Sequence, residues 1–281
     1  MLKPTTYNAT VISVKNVAGE FHVVKLQLEK PKELQYTAGQ YVICKIGPPK
    51  GNHTLSIASA PSTDGTIELL QSVAPMGEGS KWLLGLKPGD PVQFLGPLGK
   101  FVLQKEGTRP KVFIATGCGI APLRAMIVDA LSSPGAEVGT SWFSHRQGPD
   151  LSGIHNSSTA KAVAALRNGM PPRASENISS PQGEFILYWG LRHETDVFWK
   201  EEFEGLAAKH PNFRFVLTLS KPTDAWAGEK GRVTEHVLKD IESLKNAEFY
   251  LCGNRQMIVD MRTLLTDNGV ASDHIYTETF F

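Results

Sequence analysis

Lys111-Val-Phe-Ile-Ala-Thr-Gly-Cys-Gly-Ile-Ala-Pro-Leu-Arg124 is the stretch that decides the fold of this chain. It opens with an apolar run at residues 112–115 and continues in a glycine-rich turn at residues 116–119. Pro122 suits the first turn of a helix, where a missing N–H costs no intrahelical bond. Apolar residues then recur at helical spacing, at Leu123, Met126, Ile127, Ala130 and Leu131. The stretch therefore predicts a strand, a tight turn and a helix.

A helix that begins directly after such a turn presents free N–H groups and the positive end of its dipole, and both attract phosphate. The pyrophosphate of a dinucleotide is one interpretation of residues 116–122. An ordinary glycine turn between a core strand and a core helix is the other, because Pro122 replaces the third glycine of the usual dinucleotide fingerprint.

The rest of the chain after Lys111 alternates between short apolar strands and amphipathic helices. The predicted strands are residues 185–189, 213–219 and 249–251. The predicted helices are residues 196–208, 237–244 and 257–265, the last capped by Asn254. Alternation of this kind predicts a parallel sheet covered by helices on both faces.

The chain before Lys111 has a different pattern, in which β-branched or alternating runs are separated by turn residues. Six short strands are predicted, at residues 9–14, 21–28, 40–46, 55–58, 67–73 and 91–95. They predict a small antiparallel barrel, with one helix at residues 80–86 whose N-cap is Ser80. We therefore expect two domains, residues 1–106 and 107–281, with an atypical insert rich in Ser, Gly, Pro and Asn at about 139–182.

Composition excludes several classes of function. The formal net charge is +1, which gives no reason to expect nucleic acid or an anionic membrane as the main partner. The three cysteines are far apart and form no Cys-x-x-Cys pair, so neither a zinc site nor an iron–sulfur cluster is predicted. An odd cysteine count without a signal-like segment predicts a reducing compartment, the cytoplasm. No apolar run is long enough to span a bilayer.

Four further clusters follow in order along the chain, and with the opening turn they resemble the ferredoxin–NADP reductase superfamily. His53-Thr54-Leu55-Ser56 stands where that family has its flavin motif, Arg-x-Tyr-Ser/Thr, and Gly77-Glu78-Gly79-Ser80 matches its pyrophosphate motif. Residues 116–122 match the family's nicotinamide-nucleotide turn, and Cys252-Gly253-Asn254 matches a later nucleotide segment. The last cluster is the C-terminal run, residues 276–281.

The resemblance implies a reductase in which NAD(P)H docks on the second domain and reduces a flavin held by the barrel. Electrons then pass to an acceptor such as a small electron-carrier protein. Ser56, Cys252 and Glu278 are the implied catalytic residues, and Phe280, with Phe281 as its rival, is implied to cover the flavin ring. The implied cofactor-binding residues are His53, Thr54, Leu55, Ser56, Gly77, Gly79, Ser80 and Phe280 for flavin, and Thr116, Gly117, Gly119, Pro122, Arg192, Ser220, Lys221, Cys252 and Gly253 for the nucleotide.

Two departures from the family pattern concern the flavin. His53 replaces an arginine, and a neutral imidazole holds a diphosphate less well than a bidentate guanidinium. Leu55 replaces a tyrosine that would stack on the flavin ring. Both predict weaker flavin binding and leave FMN as an alternative to FAD, although Gly77 to Ser80 favours FAD. Ser220 and Lys221 lack acidic repulsion toward a ribose phosphate and favour NADPH over NADH.

Three functions remain open on the sequence. The first is an FAD-dependent NAD(P)H reductase of ferredoxin, flavodoxin or an oxygenase component. The second is an NAD(P)H reductase of free flavin or ferric chelates, which the weakened flavin motif would suit. The third is a nucleotide-binding electron-relay subunit without turnover of its own.

Overall fold

The computed structural model describes residues 3–49, 51–104, 108–132 and 183–279. The described chain forms two six-stranded sheets. The predicted domain boundary at 106/107, the predicted insert at 139–182, and Phe280 and Phe281 lie outside the described residues. The predictions made for those positions stay predictions.

The first sheet is antiparallel and has the strand order β4-β3-β6-β1-β2-β5. Its two edge strands approach each other through a bridge between Ile57 and Leu69, so the sheet curls into the predicted barrel. Its strands are β1 (Thr5–Ala18), β2 (Phe21–Lys30), β3 (Tyr41–Gly47), β4 (Gly51–Ser56), β5 (Thr66–Ser72) and β6 (Pro91–Leu98).

The helix of the first domain, α1, spans Glu78–Gly85 and begins two residues before its predicted start. The prediction that Ser80 is the N-cap is wrong, because the extended residue Gly77 holds that position. Ser80 is instead buried in the first turn, where its hydroxyl accepts a hydrogen bond from the Gln71 side chain at 3.3 Å.

The second sheet is parallel throughout and has the strand order β10-β9-β8-β7-β11-β12. Its strands are β7 (Lys111–Thr116), β8 (Phe185–Leu191), β9 (Phe213–Leu219), β10 (Glu229–Lys230), β11 (Glu248–Gly253) and β12 (Ile275–Thr279). The helices are α2 (Ile120–Ser132), α3 (Lys200–Lys209), α4 (Val233–Leu244) and α5 (Arg255–Asp267). Asn254 caps α5 as predicted, since its side chain accepts a hydrogen bond from the N–H of Gln256 at 2.9 Å.

Helices cover both faces of the second sheet, as the alternating pattern predicted. Neighbouring residues of β7 point into different cores: Phe113 packs with α2 and α3, whereas Val112 and Ile114 pack with α4 and α5. The predicted helix at 196–208 is shorter than expected, because Trp199 adopts a left-handed backbone conformation with φ 52° directly before α3.

One hydrophobic core runs through both domains. It contains Phe21 and Ala58 from the first domain together with Phe113 and Trp189 from the second. Phe21 packs against Phe198 with the rings tilted by 36° and their centroids 4.9 Å apart. The two sheets are thus joined by a continuous packed interface, and the turn after β7 lies beside it.

Candidate active site

The glycine-rich turn lies at the carboxyl end of β7 and leads through a short 3₁₀ turn, Gly117–Gly119, into α2. Two long-range hydrogen bonds fasten it. The N–H of Asn254 donates to Thr116 Oγ1 at 2.9 Å, and Trp189 Nε1 donates to the carbonyl oxygen of Gly117 at 3.2 Å. The turn is therefore held by β8 and by the end of β11, with the N-terminus of a 13-residue helix behind it.

Gly119 lies against the backbone of β11. A Cβ atom at this position would be 2.2 Å from the carbonyl oxygen of Cys252, which is well inside van der Waals contact. Only glycine allows this approach, and the approach brings Cys252 and Gly253 beside the turn. Thr116, Gly117, Gly119, Cys252 and Gly253, which the sequence assigned to one nucleotide site, are thus adjacent in space.

The three implied catalytic residues also meet. Ser56, at the end of β4, donates a hydrogen bond from Oγ to Glu278 Oε2 at 3.3 Å. Glu278 in β12 is the register partner of Cys252 in β11. Ser56 and Cys252 are 2% and 0% exposed. A buried hydroxyl, a buried thiol and a partly buried carboxyl from the two sheets therefore lie together next to the nucleotide turn.

Burial changes the proton affinity of two of these groups. Desolvation raises the pKa of Glu278 to about 7, against a smaller opposing effect of the hydrogen bond from Ser56. Desolvation also raises the pKa of Cys252 well above that of a free thiol, and the nearby Glu278 adds to this effect. Cys252 is thus a neutral thiol at physiological pH, whereas Glu278 titrates near neutrality.

A cavity of about 430 Å³ opens beside Glu278 between the two domains. It is lined by Tyr41 and by residues 99–101 on the barrel side, and by residues 275–278 of β12 on the other side. Tyr41 is the register partner of Ser56 across β3 and β4. The sequence reasoning missed Tyr41, because only strand pairing brings it to Ser56.

The N-terminus of α1 has the features of a phosphate cradle. A Cβ atom on Gly77 would meet nothing within 4 Å, so the start of the helix is open to a ligand. A Cβ atom on Gly79 would be 2.5 Å from the His53 imidazole, so this ring lies directly on the first helical turn. Helix N–H groups beside an imidazole fit the diphosphate of FAD.

A buried acceptor lies next to this cradle. Gln71 is 7% exposed, and its Oε1 atom has no hydrogen-bond partner within the described part of the chain. An unsatisfied buried acceptor of this kind is unusual in a native fold and fits a ligand hydroxyl. The polar chain of a flavin dinucleotide carries such groups, so the residues present fit FAD.

Two members of the flavin motif lie apart from this cradle. Leu55 is 5% exposed and packs in the core of the barrel with Val42 and Ile57. Thr54 is exposed, on the opposite face of β4 from Leu55. Of the four motif residues, His53 lies at the phosphate cradle and Ser56 lies at the Glu278 carboxyl.

The turn after β9 holds the residues assigned to the nucleotide phosphate. The N–H groups of Ser220 and Lys221 donate to the carbonyl oxygens of Leu191 and Arg192 at 3.0 and 2.9 Å. The structure adds Glu194, whose Oε1 accepts from both the N–H and the hydroxyl of Thr223 at 2.7 Å. Glu194 belongs to the short helical turn after β8, and its carboxylate reaches the turn after β9, where the sequence suggested no acidic group.

Comparison with known families identifies two segments. The family described as Oxidoreductase FAD-binding domain matches residues 8–103, and the Oxidoreductase NAD-binding domain matches residues 113–263. The phosphate cradle and Ser56 lie in the first segment, and the glycine-rich turn and Cys252 lie in the second. Within the described ranges, no helix has the length and apolar character that crossing a membrane requires.

Two curated relatives match almost the whole chain at 25% and 28% identity. Ferredoxin–NADP reductase B of Sorangium cellulosum is 25% identical, with 100% of both chains covered. The phenol hydroxylase P5 protein of Acinetobacter pittii is 28% identical over 98% of this chain, which spans only 65% of that protein. Among solved structures, the Amycolatopsis cytochrome P450 reductase GcoB superposes with a TM-score of 0.75 at 26% identity, covering 99% of this chain and 70% of GcoB.

Proposed function

The chain belongs to the ferredoxin–NADP reductase superfamily of FAD- and NAD-binding oxidoreductases, and on that premise we propose that it carries electrons from NAD(P)H through FAD to a small electron-carrier protein. One observation carries the proposal. The Ser56 hydroxyl of the FAD-binding segment is bonded to Glu278, which is paired with Cys252 beside the nucleotide turn. A hydride donor and a hydride acceptor held by these two segments would meet at this location.

We assign FAD to the first domain. The open N-terminus of α1, the His53 ring on Gly79 and the unsatisfied Gln71 oxygen support a ligand that has both a diphosphate and hydroxyl groups. Bound FAD supplies a ring that accepts a hydride and releases electrons singly or in pairs. The protein's part is to position that ring at Ser56 and to exclude water from it.

The proposed role of the buried trio follows from its protonation. Glu278 has a pKa of about 7 and can therefore hold or release a proton at the Ser56 hydroxyl under physiological conditions. Cys252 stays a neutral thiol because it is fully buried, so it adds no charge beside the proposed position of the nicotinamide. Phe280 keeps its proposed role as the cover of the flavin ring.

NADPH is the proposed nucleotide. Lys221 on the turn after β9, and Arg192 whose carbonyl oxygen accepts from the Lys221 N–H, support a contact with a ribose phosphate. Glu194, whose carboxylate is bonded to Thr223 of this turn, opposes that contact by charge repulsion, so we expect a modest preference for NADPH over NADH. Catalytic efficiencies with the two nucleotides test this assignment, and a clear preference for NADH would overturn it.

The protein acceptor is supported by the named functions of the relatives, which include a ferredoxin–NADP reductase and a phenol hydroxylase component. A second candidate has one specific observation in its favour. Residues 1–108 contain no arginine, so no guanidinium of the barrel can clamp the flavin phosphates. Weak binding of the flavin would suit a reductase that releases reduced flavin as its product.

One experiment separates the candidates. Protein purified from an expression host should be yellow and should bleach when NADPH is added without air. Bleaching followed by rapid reduction of a small ferredoxin or flavodoxin supports the proposal. Colourless protein that oxidises NADPH only with added flavin supports the second candidate, and absence of both colour and turnover supports an electron-relay subunit.

The cytoplasm is the proposed location. All three cysteines are unpaired, and Cys44 and Cys252 are buried. This supports a reducing compartment, since such compartments keep thiols free. A fluorescent fusion imaged in cells of the source organism tests the assignment.

A further inference from the structure

Arg124 joins the two domains with a single guanidinium. On the first-domain side, Nη1 donates to the carbonyl oxygen of Ala58 at 2.8 Å and to Glu68 Oε2 at 3.1 Å. On the second-domain side, Nε donates to the two carboxylate oxygens of Glu202 at 2.9 and 3.1 Å. The side chain of Arg124 is only 15% exposed, so the guanidinium is largely shielded from solvent, whereas the two carboxylates are partly exposed. We call Arg124, Ala58, Glu68 and Glu202 the interdomain clasp.

Trp199 supports the clasp from the second domain. The Arg124 guanidinium lies 4.4 Å from the centroid of the Trp199 ring, which is a cation–π distance. Trp199 is also the one non-glycine residue with a positive φ in the described ranges, at 52°. A bulky residue in this conformation is strained and persists where its surroundings hold it, as they often do at a functional contact. Here the conformation directs the ring to the guanidinium.

The clasp links the two segments that the proposed reaction must align. Arg124 lies in α2, the helix that follows the nucleotide turn, and Ala58 follows Ser56 by two residues. The segment around Ala58, which accepts the hydrogen bond from Arg124, is itself held by hydrogen bonds of backbone N–H groups. The N–H of Ala58 donates to the carbonyl oxygen of Glu68 at 2.8 Å, and the N–H of Glu68 donates to Ser59 Oγ at 3.1 Å.

Packing alone does not define this alignment. The shared core attracts the two domains, but hydrophobic attraction is non-directional and tolerates small rotations of one surface over the other. Hydrogen bonds from a planar guanidinium have fixed directions, and they resist such rotations. The clasp is therefore a polar, directional part of the interface, and it acts in addition to the hydrogen bond between Ser56 and Glu278.

We propose that Arg124 is a positioning residue that sets the distance between the nucleotide turn and Ser56, and that it thereby controls the rate of hydride transfer. The catalytic part of this inference rests on the proposed function. Its structural part, that Arg124 orders the segment around Ala58, stands on the hydrogen bonds alone.

The test compares Arg124→Met, Arg124→Lys and Glu68→Gln with the wild type. Lys200→Met is the matched control, because Lys200 is a cation of α3 that pairs only with Glu204, at 2.7 Å, among the described residues. Glu68→Gln leaves Arg124 and the core intact, so it keeps the test decisive where Arg124→Met fails to fold.

The first readout is hydrogen–deuterium exchange of the flavin-free, full-length protein. We expect peptides spanning residues 56–60 and 66–70 to exchange at least about tenfold faster in Arg124→Met, whereas peptides from β1 stay unchanged. Arg124→Lys should show intermediate exchange rates, because lysine keeps the positive charge but lacks the planar guanidinium that donates several directed hydrogen bonds. Unchanged exchange at residues 56–60 in both Arg124→Met and Glu68→Gln would overturn the inference.

The second readout is the rate of flavin reduction at saturating NADPH, measured in a single turnover. A misplacement of about 1 Å can cost a hundredfold in rate, so we expect a fall of about tenfold to a hundredfold in Arg124→Met, with nucleotide affinity within about twofold. A rate within about twofold of wild type would overturn the catalytic role. Absence of flavin reduction in the wild type would instead overturn the proposed function, and the exchange measurement would still decide the structural part.

Discussion

Ser56 Oγ donates a hydrogen bond of 3.3 Å to Glu278 Oε2, although the two residues are 222 positions apart in the chain. The bond crosses from the end of β4 in the first domain to β12 in the second. It therefore connects the flavin-binding segment to the strand beside Cys252. Both residues are largely withdrawn from water, and this makes the protonation of Glu278 the most sensitive property of the site.

Glu278→Gln should remove a pH dependence from the stability of the flavin-free protein. The folded state raises the pKa of Glu278 to about 7, so it holds the proton more tightly than the unfolded chain does. The stabilisation by that proton is complete below about pH 4.5 and is lost as the pH rises toward about 7. Near pH 8, we expect Glu278→Gln to be more stable than wild type by about 1–3 kcal/mol in urea unfolding.

The same comparison near pH 4 should show a difference of less than about 0.5 kcal/mol, because a protonated carboxyl and an amide are both neutral. In the loaded enzyme, the wild-type rate of flavin reduction should show an inflection near pH 7 that Glu278→Gln lacks. Equal stability differences at both pH values would contradict the prediction.

Gly119→Ala should disrupt the nucleotide turn. The new Cβ atom would lie 2.2 Å from the Cys252 carbonyl oxygen, so the turn and β11 must separate. We expect a loss of about 2–3 kcal/mol in the free energy of unfolding, with a large loss of nucleotide affinity measured by calorimetry. Gly205→Ala in α3 is the matched control, since its Cβ atom meets nothing within 4 Å.

That control should be neutral or more stable by up to about 1 kcal/mol, because alanine is the better helix former. A Gly119→Ala protein as stable as Gly205→Ala would show that the turn can move away from β11 without cost.

His53→Arg should tighten flavin binding. The His53 imidazole lies on Gly79 at the start of α1, and a guanidinium there would form paired charge-assisted hydrogen bonds to a diphosphate. We expect the dissociation constant for FAD, measured by quenching of flavin fluorescence, to fall by about tenfold. The constant for riboflavin, which has no phosphate, should not change. A parallel change for riboflavin would show that the histidine acts on the ring instead.

Lys221→Ala and Glu194→Gln should shift nucleotide preference in opposite directions. Removing the positive charge of Lys221 should lower kcat/KM for NADPH by about tenfold and leave kcat/KM for NADH within about twofold of the wild-type value. Removing the negative charge of Glu194, which Thr223 holds against this turn, should raise kcat/KM for NADPH relative to NADH. Steady-state kinetics with both nucleotides measure the two ratios. Parallel losses for both nucleotides in either variant would indicate general damage to the turn.

Local patterns predicted much of the architecture. The alternation of apolar runs with helical periodicity predicted the parallel sheet, and Asn254 was correctly identified as the cap of α5, because a cap depends on neighbouring residues alone. Ser80 was misassigned as a cap, because the buried partner Gln71 is distant from it in sequence and is invisible to a local rule. The polar alternation of residues 276–279 hid β12, which becomes a strand through its pairing with β11.

The sequence by itself determined the strand, turn and helix around residues 111–132, since periodicity, glycine and proline act within a few residues of each other. It also placed Ser56, Cys252 and Glu278 in motifs through family resemblance. Only the tertiary structure decided that these three groups meet, that Leu55 belongs to the barrel core, and that Arg124 clasps Ala58 to Glu202. The contact of Arg124 with Ala58 spans 66 positions and that of Ser56 with Glu278 spans 222. Such contacts depend on how two sheets pack, and a one-dimensional pattern does not encode the direction of that packing.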